Sequence, residues 1–306
     1  MLRVFIKGYW SSVERVSVND SLVFMLIEDA LGCGLKFVTK ESDAELIILF
    51  PFLTQSEKIK MKLLSALNPT GGTSKINRAL GFKQNVAMLA ISGENLDYPS
   101  WRWFGKFIRL FDIPRLTFWP TEIDPGGCRF PYWWNYVAFD GYELNPKVYE
   151  RFGRPLDLGV LLNPLDPGSS NRSDAICVLT RHQRWPRNNE IAYLKKFKPV
   201  HVYQKGTDKT WEGSKFDLLS QYKYAFCAEN STGYGYQTEK LPEAWVAGAI
   251  PVGFSPNPYS DFSYIKGREL FCESFDSSDI PPLLSERPNL VNVKTYLRER
   301  LSDLLS

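Results

Sequence analysis

The chain has 306 residues, 44% hydrophobic and 23% charged, with a formal net charge of +3. That composition excludes a disordered chain, and so small a charge makes no case for nucleic acid. The length accommodates one large domain or two of ordinary size, and chains this long bury roughly 75% of their unfolded surface. Five cysteines (Cys33, Cys128, Cys177, Cys227, Cys272) are scattered without ligand-like spacing. Cys177 and Cys227 fall inside apolar runs, which reads as buried free thiols in a reducing cytoplasm. Only His182 and His201 are present, so a histidine-rich metal site is excluded. The N-terminal MLRVFIKGYW is too short and interrupted for a signal or anchor, and no run of 18 uncharged apolar residues occurs, so no integral membrane segment is expected. Aromatic residues reach 14%, with nine Trp. Most belong to cores, but an excess suits sugars, whose C–H faces stack on indole.

In chain order, Leu2–Ile6 is a strand ending at Lys7-Gly8-Tyr9-Trp10. Residues 21–31 read as a helix capped by Asp20 or Ser21. Lys36–Thr39 and Leu46–Phe50 read as strands and Met61–Leu67 as a helix, before Asn68–Ser74 breaks the chain. Asn85–Ile91 is a buried strand that delivers Ser92-Gly93-Glu94-Asn95 at its carboxyl end. Residues 98–134 are aromatic and Pro-rich, and read as an excursion from the sheet. Residues 163–173 concentrate Pro, Gly, Ser and Asn, which is linker chemistry. Beyond them comes a second series: strand 175–179, helix 187–197, strand 199–203, helix 216–221, strand 224–228, helix 241–247 with Pro242 in its first turn, and strand 252–254. Residues 291–305 form a last amphipathic helix. Strand–helix alternation of this kind predicts parallel sheets flanked by helices, in two α/β domains.

The densest chemistry lies in residues 222–254, YKYAFCAENSTGYGYQTEKLPEAWVAGAIPVGF. Strand, polar loop, helix and strand succeed one another, so the loop falls beyond the carboxyl ends of strands, where such sheets bind ligands. Its glycines permit close backbone approach, a carboxylate can hold ribose or sugar hydroxyls, and a lysine at a helix start can meet phosphate. Upstream, Thr180–Arg187 (TRHQRWPR) places Arg181, Arg184 and Arg187 beside a predicted helix N-terminus. Guanidinium forks and a helix end both favour a pyrophosphate, with a solvated basic loop as the plain alternative.

The run Glu229-Asn230-Ser231, Gly233-Tyr234-Gly235-Tyr236, Thr238-Glu239-Lys240 and Ile250-Pro251 resembles the donor-binding motif of family 10 α-1,3/4-fucosyltransferases, most of all the soluble bacterial members. The resemblance implies an α/β fold of GT-B type, two Rossmann-like domains facing across a cleft. Residues 1–163 would form the N-terminal acceptor-side domain and 174–306 the C-terminal GDP-fucose-binding domain. The linker is about 164–173, and the last helix is a candidate to pack back on the N-terminal domain.

It implies an inverting, metal-independent transferase that moves fucose from GDP-fucose to an oligosaccharide acceptor, at O3 of GlcNAc or glucose. Arg187, Asn230, Tyr236, Glu239 and Lys240 match the donor-binding positions. Glu94, in Ser-Gly-Glu-Asn where bacterial members carry Thr-Gly-Glu-Asn, matches the catalytic base, with Asp97 as its rival and a turn cap as the plain alternative. Tyr9, Trp10, Asp97 and Trp119 are acceptor-side candidates, and Arg129-Phe130-Pro131-Tyr132 resembles an Arg-x-Pro-x element of structural character. No Asp-x-Asp occurs, so no cofactor is expected, which leaves room for non-specific stimulation by Mn or Mg. The bacterial pattern departs over 98–127, which bears on acceptor identity. Two other readings stay open: a glycosyltransferase using a different nucleotide sugar, and a non-catalytic glycan-binding protein on the same scaffold.

Overall fold

A computed structural model describes residues 1–9, 16–67, 77, 80–83, 86–165, 171–180, 187–204, 211, 213–253, 259–263, 270–271 and 280–305. Trp10, Arg181, Arg184, Cys272 and the expected break at Asn68–Ser74 lie outside the described residues. The chain forms two compact units. The first holds Met1–Asn135, Ser231–Gln237 and Asn289–Ser306; the second holds Tyr136–Asn230 and Thr238–Pro288.

The first unit is built on a parallel six-stranded sheet of β1 (Leu2–Lys7), β2 (Leu35–Phe37), β3 (Leu46–Leu49), β4 (Ala87–Ser92), β5 (Arg115–Thr117) and β6 (Cys128–Arg129), in the order β2-β1-β3-β4-β5-β6. Strands β3 and β4 are buried along their whole length, as strands covered on both faces must be, which is why they read as continuous apolar runs. Helix α1 (Leu22–Leu31) starts where the Ser21 hydroxyl accepts the Val23 N–H and stops at Gly32, which takes the left-handed conformation with φ +63°. It packs on the final helix, α8 (Leu290–Leu305), whose Val293, Leu297 and Leu301 repeat every four residues and are buried.

Residues 98–134 do not leave the sheet, contrary to expectation. They contribute α3 (Arg102–Leu110), which packs on α2 (Gln55–Leu67), and then β5 and β6, which extend the sheet. The strands are only three and two residues long, too short to show a period of two. What replaces strand length is a buried ion pair. Arg115 Nε and Nη2 donate to Asp124 Oδ2 and Oδ1 at 2.8 and 2.6 Å, and Arg115 Nη1 donates to the Ile113 carbonyl at 3.0 Å. The Tyr296 hydroxyl of α8 accepts the Arg115 N–H at 2.8 Å and donates to the Gly126 carbonyl at 3.1 Å.

The second unit has a parallel four-stranded sheet of β7 (Ser173–Thr180), β8 (Val200–Gln204), β9 (Tyr222–Phe226) and β10 (Ile250–Val252), ordered β10-β9-β7-β8. Between them run α5 (Arg187–Leu194), α6 (Lys215–Leu219) and α7 (Lys240–Val246), and the short α4 (Leu158–Leu161) precedes β7. Residues 136–163, read from the sequence with the N-terminal half, cluster with this unit: the Trp245 indole of α7 donates to the Val160 carbonyl at 3.0 Å. After β8 the chain returns to the far side of β7, so the strand order reverses between β7 and β9. In open α/β sheets that reversal leaves a crevice beyond the strands' carboxyl ends.

Candidate functional site

The reversal brings the segment after β7 next to the segment after β9. Arg187, the first residue of α5, donates from Nη1 to Thr180 Oγ1 at the end of β7 at 2.8 Å. From Nη2 it donates to Asn230 Oδ1 at 2.6 Å and to the Ala228 carbonyl at 3.4 Å, both beyond β9. Burial pulls its guanidinium below the ordinary arginine range, and Glu229 and Glu190 resist that pull.

Glu229 is the charge centre of this crevice. Its Oε1 accepts the Thr238 N–H at 2.7 Å, both oxygens accept the Thr238 hydroxyl, and Oε2 accepts Lys240 Nζ at 2.6 Å. The lysine also donates to Thr238 Oγ1 at 2.6 Å. Burial works to lower the Lys240 pKa, but Glu229 and Glu239 together hold its ammonium above the ordinary range. Arg187 and Lys240 therefore converge on neighbouring residues: the arginine bonds Asn230 and feels the charge of Glu229, and the lysine pairs with Glu229 directly. Burial works in the same way to raise Glu239, yet Lys240 and Lys215 hold its carboxyl below the usual range. An array of this kind can accept hydrogen bonds from hydroxyls at Glu239 while presenting positive charge to a phosphate.

Residues Ser231–Gln237 leave the second unit and belong to the first. There Asn95, 2% exposed, donates from Nδ2 to Ser231 Oγ and to the Thr232 carbonyl, both at 2.8 Å, while its Oδ1 accepts the Asp97 N–H at 3.0 Å. This docking explains two glycines. A Cβ at Gly233 would stand 2.6 Å from Asn95 Oδ1. At Gly235, with φ +76°, it would stand 2.5 Å from Arg129 Nη1 and 2.8 Å from the Phe118 carbonyl. The Tyr236 ring is buried in the core of this unit, edge-on to Phe118 at 5.3 Å.

Glu94 lies half-buried just beyond β4, its N–H held by Ser92 Oγ at 3.2 Å. The turn that carries it therefore also carries Asn95, which pins the glycine loop. Asp97 and Trp119, two of the acceptor-side candidates, meet directly: the indole N–H donates to the Asp97 carboxylate at 3.2 and 3.3 Å, and the Arg109 guanidinium lies 3.6 Å over the indole ring. Trp119 is buried, so its ring serves packing here. Tyr9 comes after β1 and packs against Phe50 at 4.9 Å. Among the described residues no three His, Cys, Asp or Glu side chains cluster as a metal would require, and no helix is long and apolar enough to cross a membrane.

Sequence reasoning did not single out Asn95, Lys215, Glu243 or the central role of Glu229. Glu239 and Glu243 lie one turn apart near the start of α7, a spacing legible in the sequence. Their shared partner Lys215 is 28 residues from Glu243 and gives no local signal.

Residues 170–272 match the model of glycosyltransferase family 10 (fucosyltransferase), C-terminal part. Over 51 residues the chain is 45% identical to an α-(1,3)-fucosyltransferase of Helicobacter pylori, a stretch that is 16% of this chain and 11% of that enzyme. The fold resembles a crystal structure of an α1,3-fucosyltransferase over 99% of this chain and 81% of that one, with TM-score 0.55 and 18% identity. It also resembles an α1,3-fucosyltransferase solved with GDP-fucose over 100% and 90%, with TM-score 0.57 and 16% identity. These matches bear out the family resemblance of the C-terminal part and the GT-B-type α/β fold.

Proposed function

We infer that this chain is a family 10 fucosyltransferase that moves L-fucose from GDP-β-L-fucose to a hydroxyl of a glycan acceptor with inversion at the anomeric carbon. The observation that supports this most is the convergence of Arg187 on Asn230 and of Lys240 on the adjacent Glu229, beyond β9, within the segment that matches the family. Both cations come from elements that the strand-order reversal brings together, and a diphosphate is the ligand whose charge they would balance. Arg187 and Lys240 hold the two phosphates and neutralise the charge that develops as GDP departs. Asn230 shapes the loop beside Arg187, and Glu239 accepts hydrogen bonds from a diol of the donor. Glu94 takes the proton from the acceptor hydroxyl as that oxygen bonds to the anomeric carbon and the bond to GDP breaks. The β-linked donor thereby gives an α-linked product. O3 of a GlcNAc or glucose residue is the acceptor position implied by the resemblance, and no metal is needed in this scheme.

Turnover of GDP-fucose against GDP-mannose and UDP-galactose, with N-acetyllactosamine, lacto-N-biose and simple monosaccharides as acceptors, tests the reading. GDP-fucose alone should support transfer. Glu94→Ala should lower kcat by about 10²–10⁴ while GDP-fucose still binds. Equal use of UDP-galactose would overturn the donor assignment, and a fully active Glu94→Ala would overturn the base.

A further inference from the structure

Lys215, the first residue of α6, reaches α7 and meets two carboxylates there. Its Nζ lies 2.7 and 2.9 Å from the Glu243 oxygens and 3.8 Å from Glu239 Oε1. Glu243 is 5% exposed and has no part in the transfer chemistry assigned to Glu94, Arg187 and Lys240. A buried pair on its own stabilises little, because desolvation offsets most of the Coulomb gain. The geometry is more specific than a brace, since one ammonium is shared between the buried Glu243 and Glu239, the acid that caps α7 beside Lys240.

We propose that Lys215 is a positioning residue that holds Glu239 as an ionised acceptor for a vicinal diol of the donor, with Glu243 as the anchor that aims the lysine. This rests on the donor site proposed for Arg187 and Lys240. The division of labour comes from the two environments. Burial pushes the Glu243 carboxyl up to about 7 against the pull of Lys215, whereas Lys240 and Lys215 hold Glu239 below the usual carboxylate range. Of the two acids that share Lys215, Glu239 is the one whose ionised form its surroundings favour. Helix α7 fixes the spacing, because residues four apart stand one above the other on the same face. The diol can belong to the ribose or to the fucose, and the two sources are separable.

Calorimetric titration of the full chain with GDP, 2′,3′-dideoxy-GDP and GDP-fucose provides the test. In the wild type, removal of the ribose diol (dideoxy-GDP against GDP) or of the sugar (GDP against GDP-fucose) should weaken binding about tenfold or more, and the arm that does so identifies the diol. Lys215→Met alone would strand Glu243, so the decisive protein is Lys215→Met/Glu243→Gln, which removes both buried charges. It should lose most of that discrimination while binding dideoxy-GDP through Arg187 and Lys240 as the wild type does. Lys215→Arg should restore the discrimination. A double variant that discriminates as well as the wild type, or that loses dideoxy-GDP binding in equal measure, overturns the proposal. A wild type indifferent to both diols overturns it as well. GDP-fucose turnover by that same wild type then shows whether the transferase reading survives.

Discussion

Gly233→Ala is the sharpest probe of how the glycine loop is held. The new Cβ would stand 2.6 Å from Asn95 Oδ1 and 3.0 Å from its Cγ and Nδ2. Comfortable contacts begin at roughly 3.5 Å, so the carboxamide must retreat by most of an ångström. That retreat breaks its bonds to Ser231 Oγ and the Thr232 carbonyl and strands a buried amide. Overpacking and an orphaned polar group each cost about 1–3 kcal/mol, and partial rotation of the side chain brings the sum to about 2 kcal/mol. Asn95→Ala removes the same two bonds and costs about 1–2 kcal/mol by itself. In the double variant the obstacle is gone, so it should be no less stable than Asn95→Ala, with a coupling of about 2 kcal/mol. Urea unfolding of the four proteins measures the cycle. A neutral Gly233→Ala, or costs that simply add, would refute this account of the glycine.

Other outcomes are open to measurement. Glu243 sits at about 7, above its ordinary 4.5, so the folded chain binds a proton there that the unfolded chain releases. The stability this contributes is full below about pH 4.5 and is lost as pH rises through 7, by about 3 kcal/mol at most. Glu243→Gln should flatten that decline in urea unfolding between pH 5 and 8, and identical slopes would exclude it. Arg115→Met leaves Asp124 buried without its fork and should cost about 3–5 kcal/mol, with Arg115→Met/Asp124→Asn recovering half or more. A double variant less stable than Arg115→Met would contradict the ion-pair account. Arg187→Ala should weaken GDP binding at least about tenfold by calorimetry, and more steeply at low salt. Unchanged affinity would remove Arg187 from the phosphate site.

The strand–helix series was legible in the sequence because buried parallel strands announce themselves as apolar runs: Leu46–Leu49, Ala87–Ser92 and Ser173–Thr180 lie where those runs predict. So was the chemistry of residues 222–254, since a glycine loop, a carboxylate and a helix-start lysine need only local order to be recognised. Short strands were not legible. Arg115–Thr117 and Cys128–Arg129 join the sheet because Arg115 finds Asp124 and Tyr296, and a pairing with a residue so far along the chain leaves no periodic trace. Tertiary structure alone decided that Arg187 and Lys240 converge on Asn230 and Glu229, because β9 must lie beside β7 before the loops after them can meet. It alone decided that Ser231–Gln237 docks on Asn95 and that Lys215 serves two acids on α7. Residue type and spacing state what a side chain can do. Which charges face one another is set by strand order, and strand order comes from packing the whole chain.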